Sequence, residues 1–187
     1  MLTPPVQSSV TQDHQRYDAV SICFHWLTAL LVITLFFLAE TWDFLPRGTP
    51  LRRGLQGLHV SFGILLSVIL VARLIWRAGF GRKLPPIIST LPYWVARGVH
   101  HLLYALLIGQ VVLGYLFRWT QGETFSFFGL FSIPALIAPD KSSASLVGEL
   151  HDFVGWTIIV LAGGHAVLAL FHHYVLRDNT LRRMLLD

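Results

Sequence analysis

Residues 151–165 read HDFVGWTIIVLAGGH, two histidines fourteen positions apart with a single charge, Asp152, between them. In a helix, fourteen residues advance about 21 Å. At about 100° each they also return to within about 40° of the starting direction. Both imidazoles then face one side of one helix, at two levels. The residues between them are too apolar for a water-facing surface, and roughly 20 such residues cross the hydrocarbon core of a bilayer. This stretch therefore predicts a membrane helix with two polar, metal-binding side chains along one face.

The rest of the chain extends this pattern. Apolar residues make up 54% of the 187 and charged ones 13%, with mean hydropathy +0.61; soluble domains carry about a quarter charged residues. Four apolar runs, 19–40, 56–76, 95–117 and 150–176, are each long enough to span. The fold class expected is an all-α membrane protein, a four-transmembrane-helix bundle over 19–177, with a polar N-terminal tail (1–18) and a short C-terminal tail (178–187). Turn residues punctuate the connections: Pro46, Gly48 and Pro50; Gly79, Gly81, Pro85, Pro86 and Pro92; Pro134 and Pro139. The third connection, 118–149, contains Phe125-Ser126-Phe127-Phe128-Gly129. It is too apolar for a flexible linker and is expected to fold over the end of the bundle. No length remains for a soluble catalytic domain.

Nine Lys and Arg residues (Arg16, Arg73, Arg77, Arg82, Lys83, Arg97, Arg177, Arg182, Arg183) fall with the two tails and the second connection. Five (Arg47, Arg52, Arg53, Arg118, Lys141) fall with the first and third. The positive-inside rule then places both termini in the cytoplasm. Trp26, Trp76 and Trp94 would mark the inner interface, and Trp42, Trp119 and Trp156 the outer one. The net charge of +4 sits at the ends of apolar runs, which is not the pattern of a nucleic-acid surface. Residues 1–18, with Pro4 and Pro5, lack the basic and apolar regions of a signal peptide, so the first span is expected to direct insertion. The single cysteine, Cys23, reads as a small apolar residue in a span. No Cys-x-x-Cys-His is present for covalent haem attachment.

Four of the nine histidines lie within or at the start of spans: His25, His59, His151 and His165. Polar side chains inside a membrane are costly, and neutral imidazole is a standard axial ligand of haem iron. A helix–helix hydrogen bond is the plain alternative for any one of them. Their depths agree, however. With the N-terminus inside, His25 and His165 share the inner leaflet while His59 and His151 share the outer. That is the geometry for two stacked haems bridging facing helices. Gly57, Gly63, Gly155, Gly163 and Gly164 flank these histidines and would let a porphyrin approach the backbone.

The remaining histidines carry weaker signals. His14 reads as solvated. Neighbours His100 and His101 cannot point the same way; a hydrogen bond to another helix is expected, with a quinone contact as the alternative. His172 shares the face of His165 about 10 Å further inward, and His173 adjoins it; an interfacial role is expected, with a propionate or quinone contact as the alternative for His172. Arg73, one turn from Arg77, admits two readings, a partner for a haem propionate or snorkelling to headgroups.

The motifs Arg16-Tyr17, Phe24-His25-Trp26-Leu27, Leu58-His59-Val60-Ser61-Phe62-Gly63 and Val71-Ala72-Arg73-Leu74-Ile75-Trp76-Arg77 together resemble the bacterial cytochrome b561 family. So do His100-His101-Leu102-Leu103-Tyr104, Phe127-Phe128-Gly129-Leu130, His151-Asp152-Phe153, and Phe171-His172-His173-Tyr174 with the tail Arg177–Met184. The resemblance implies two noncovalent haems b, one held by His25 and His165 and the other by His59 and His151. Family members of this size resemble standalone cytochromes, including superoxide:ubiquinone oxidoreductases; longer relatives are cytochrome subunits of hydrogenases and formate dehydrogenases. The implied partners are the lipid bilayer, a quinone such as ubiquinone as electron acceptor, and superoxide or a dehydrogenase subunit as electron donor. For superoxide, Arg47, Arg52 and Arg53 would form a cationic funnel before His59. The same arginines could instead touch headgroups or propionates. A haemless membrane anchor is the remaining alternative, and the four depth-matched histidines argue against it.

Overall fold

The computed structural model describes residues 16–85 and 90–186, with backbone alone at 90–93. Pro4, Pro5, His14 and Pro86 lie outside the described residues.

Four long helices account for most of the chain: α1 (Ala19–Asp43), α2 (Pro50–Gly79), α3 (Thr90–Thr120) and α4 (Lys141–Phe171). All four are long and apolar enough to cross a membrane. Polar caps set their starts. The Asp18 carboxylate accepts from Ser21 N (2.9 Å), Thr49 Oγ1 accepts from Arg52 N with Pro50 at the first helical position, and Asp140 accepts from Ser142 N (3.0 Å). These caps explain why α2 and α4 begin well before the apolar runs at 56 and 150: the capped first turns extend beyond the bilayer core. At its far end α4 loosens into a π turn, His172–Leu176, stopped by Arg177 in the left-handed conformation (φ 53°).

The helices pack as two hairpins, α1 against α2 and α3 against α4, with only sparse backbone approach across the cleft between the pairs. Leu31 and Leu35 meet Leu66 and Ile69 to seal the first hairpin. A second cluster, Leu70, Leu107 and Ile158, closes the cleft at mid-height with Val32 and Val154 packed against it. Elsewhere large apolar side chains face outward, among them Phe37, Val68, Val160 and Val167. Such a surface suits a protein whose surrounding solvent is lipid.

The third connection departs from expectation. It does not cap the bundle; it forms a two-stranded antiparallel hairpin, β1 (Phe125–Phe127) and β2 (Phe131–Ile133), packed along α2. Ser61, buried on α2, donates to the Ser126 carbonyl (3.2 Å) and accepts from Phe128 N (3.0 Å).

The opposite end, where the described residues begin and end and which is called the termini end below, is tied by three segments. Trp26 Nε1 donates to the Met184 carbonyl (2.7 Å), Tyr17 N to the Arg183 carbonyl (3.1 Å), and Arg183 Nη1 to the Pro85 carbonyl (2.8 Å). His172 Nδ1 pairs with Asp178 Oδ2 at 2.5 Å, fastening the tail to the end of α4. Asp18 is the hub, accepting from Trp76 Nε1 (2.9 Å) and Arg82 N (3.0 Å) as well as from Ser21. Its carboxyl lies well below the usual carboxylate range. Burial opposes ionisation, but the hydrogen bonds from Arg82, Ser21 and Trp76 outweigh it. A depressed pKa contributes stability that is present above the unfolded value of about 3.9 and is lost as pH falls through the folded one. Asp18→Ala should therefore cost about 1–3 kcal/mol and lower the detergent-solubilised melting midpoint at neutral pH. The gap from wild type should close only in strong acid, which thermal unfolding followed by size-exclusion chromatography would read.

Candidate functional site

The cleft between the two hairpins brings the four intramembrane histidines together two by two. His25 on α1 faces His165 on α4 with ring centres 6.4 Å apart and planes at 70°. His59 on α2 faces His151 on α4 at 6.3 Å and 72°. The helical spacing read from 151–165 thus holds: one face of α4 supplies a histidine at each level. Ile158, seven residues from each, is 3% exposed and lies in the apolar layer between the levels.

The surroundings of the two pairs differ. At the termini end, Arg73 Nη2 lies 3.3 Å from His25 Nδ1, and its guanidinium lies over the Tyr104 ring at 5.1 Å. Arg73 is half-buried against these rings. The His100 ring packs on His165 at 5.1 Å, while His101 turns away and bonds the Arg97 carbonyl of its own helix (2.7 Å). At the distal end, His59 Nδ1 lies 2.9 Å from the Leu35 carbonyl. A carbonyl only accepts, so this nitrogen carries the proton and Nε2 keeps its lone pair, the usual orientation device for a metal-binding histidine. Trp42 packs edge-on against the same ring at 5.0 Å. The Gln110 amide meets His151 Nε2 at 3.2 Å.

This arrangement fits a planar iron macrocycle with two open axial positions. Two imidazoles holding one metal ion by bonds of about 2.0 Å, with each ring centre about 1.1 Å further on, would have ring centres about 6.2 Å apart. Both pairs lie at that separation. His151 Nδ1 is buried with no hydrogen-bond partner among the described residues, a costly state unless something else satisfies it. A Cβ added at Gly63, one turn from His59 on the same face, would meet nothing within 4 Å. Gly155 serves packing instead: a Cβ there would press on the Gln110 amide at 3.2 Å. Among the described residues no three His, Cys, Asp or Glu side chains gather as a metal-binding set. The histidines come in twos.

Sequence reasoning did not single out Gln110, Trp42 or Tyr104 as neighbours of the site. Gln110 carried a signal, since it is the one amide within the apolar stretch 102–117 and polar groups there are expensive. Of the distal arginines, Arg52 is not free to steer a ligand. It donates to the carbonyls of Trp42 (2.6 Å) and Leu45 (2.9 Å), pairs with Asp43 and is 16% exposed. Arg118 pairs with Glu123, whereas Arg47 and Arg53 are exposed.

Known proteins agree with this architecture. The family model for prokaryotic cytochrome b561 matches residues 16–186. Cytochrome b561 homolog 2 of Escherichia coli (strain K12) is 36% identical over 95% of this chain and 95% of its own length. A probable superoxide oxidase, CybB, of Yersinia pestis is 30% identical over 92% of this chain and 97% of its own length. Cytochrome b561 homolog 1 of E. coli is 28% identical over 91% of this chain. With four spans and a family of haem b electron carriers, the chain is a multi-pass protein of the bacterial inner membrane. It belongs to the prokaryotic cytochrome b561 family.

Proposed function

We propose that this protein binds two haems b, one between His25 and His165 and one between His59 and His151, and carries electrons from superoxide to ubiquinone. The observation that supports this most is the matched pair of ring separations, 6.4 and 6.3 Å, at two levels of one cleft. When bound, haem b supplies reversible one-electron chemistry at its iron. The chain's own residues do the rest. His59 is held in one tautomer by the Leu35 carbonyl, and the Ile158 layer keeps water and ions from the space between the levels. Arg73 offers a guanidinium to a propionate carboxylate at the termini end. Both termini lie in the cytoplasm on the positive-inside count, which puts His59 and His151 on the periplasmic side.

Superoxide enters the proposal through the Yersinia pestis relative's name and the distal cations. Two superoxide ions give two dioxygen molecules and two electrons; ubiquinone takes these with two protons to become ubiquinol. Exposed Arg47 and Arg53 would steer the anion toward the distal pair, since cationic surfaces raise encounter rates by about 10 to 1,000-fold.

A pyridine haemochrome assay after acid–acetone extraction should give close to two b haems per chain. A single haem, or one resisting extraction, would contradict the ligand assignment.

The two pairs should separate by mutation. His59→Ala or His151→Ala should lose about half of the haem and leave the other spectral component. His25→Ala or His165→Ala should lose the complementary half. If His59→Ala and His165→Ala removed the same component, the pairing would be wrong.

Neutralising Arg47 and Arg53 together should slow haem reduction by superoxide severalfold in stopped-flow mixing, and raising the salt should slow the wild type similarly. Haem content and reduction by a neutral quinol should hardly change. Failure of superoxide to reduce the wild-type protein at all would remove it as donor.

A further inference from the structure

We propose that residues 124–139 form a re-entrant hairpin that lies within the distal leaflet of the bilayer, its exposed aromatic and aliphatic side chains in contact with lipid acyl chains. Between Glu123 and Asp140 the sequence contains no charged residue. Those two residues bracket the segment at the bundle's end. Glu123 N bonds the Arg118 carbonyl (3.1 Å), and Asp140 N bonds the Thr120 carbonyl (2.9 Å). Gly122 turns the chain at φ 73° directly against Pro139, leaving no room for a side chain. The two ends of the segment therefore meet at the terminus of α3.

From there the segment descends. Phe125 packs on Tyr115 of α3 (5.5 Å), more than a turn back from Thr120. Phe128 packs on Phe62 of α2 (5.4 Å), and the tip is bonded through Ser61. Ser61 stands eleven residues into α2, about 16 Å from its first residue. Four extended residues from Thr124 to Phe128 cover about 13 Å. With Glu123 and Asp140 at headgroup level, the tip lies below the headgroup layer, which is only several Å deep on each side of a hydrocarbon core of about 30 Å.

Non-helical backbone at such depth needs partners for its polar groups, and the hairpin supplies many of them. The strands pair Phe125 with Ile133 through Phe127 with Phe131. Leu130 N closes the turn onto the Phe127 carbonyl (2.8 Å), Gly129 N bonds Ser126 Oγ (3.0 Å), and Ser61 serves Ser126 and Phe128. The turn has positive φ at both Phe128 (48°) and Gly129 (76°). A phenylalanine in that conformation is costly, and its ring contacts with Phe62 and Phe127 offset the cost. The tip is thus anchored, while Leu130 (77% exposed), Phe131 (53%) and Leu136 (68%) project outward from it. The segment carries no charge to face water and its tip is tied to the apolar span of α2, which makes lipid the occupant of this face.

The test uses the full-length haem-loaded protein with Cys23→Ser, reconstituted in lipid nanodiscs. Single cysteines at Leu130, Leu136 and Glu123 carry a nitroxide, and Val160 on α4 provides the lipid-facing control. Power-saturation electron paramagnetic resonance compares collision with dioxygen and with a water-soluble nickel chelate. Labels at Leu130 and Leu136 are expected to favour dioxygen as Val160 does, and the Glu123 label to favour nickel. Adding Ser61→Ala should shift the Leu130 label toward nickel, as the tip loses its anchor. Nickel access at both Leu130 and Leu136 equal to that at Glu123 would overturn the proposal. So would shielding of both from either reagent, which would indicate a second copy or another protein on this face.

Discussion

Four imidazoles in a medium without water impose the constraint from which the rest of this structure follows. A polar ring in hydrocarbon must find a partner, and each finds one across the cleft between two helix hairpins. The facing rings span the cleft at two levels, and the Ile158 layer packs between them. Gly63, one turn from His59, leaves room where another residue would place a side chain. An apolar layer separates the two levels, a division that would keep two redox positions distinct within one small bundle.

The two heights are not equivalent. One pair lies beside the Arg73 guanidinium and the His100 ring. The other lies among a backbone carbonyl, a tryptophan edge and an amide. Charges and hydrogen-bond partners around axial ligands are what a protein uses to set reduction potentials, so under the proposed ligation the asymmetry would give the two pairs different electron affinities. The ends of the molecule differ as well. The termini end is a mesh of tail, loop and helix held around Asp18. The distal end is tied by Arg52 to the carbonyls of the first connection.

Most of this was legible in the sequence, because it rests on periodicity and on the cost of polarity in lipid. The fourteen-residue interval between His151 and His165 carried the two-level arrangement, and the four apolar runs carried the helices. What was hidden depends on contacts between residues distant in the chain. The 118–149 connection looked like a cap over the bundle because its depth is set by Ser61, sixty-five residues before Ser126. Arg52 looked like part of a funnel, since nothing local reveals that its guanidinium is taken up by two main-chain carbonyls. The helices start before the apolar runs, at Pro50 and Lys141, because hydropathy marks the bilayer, whereas Thr49 and Asp140 mark the helix.

The central claim is that both cofactor sites are closed on each side by histidine. Near-infrared magnetic circular dichroism of the oxidised protein reads this directly, because the energy of the ligand-to-iron charge-transfer band depends on the axial pair. Two low-spin haems per chain, both with the band of bis-imidazole coordination and each lost with its own histidine pair, is the result this account predicts. A high-spin component, or a band from any ligand other than imidazole in the intact protein, would contradict it.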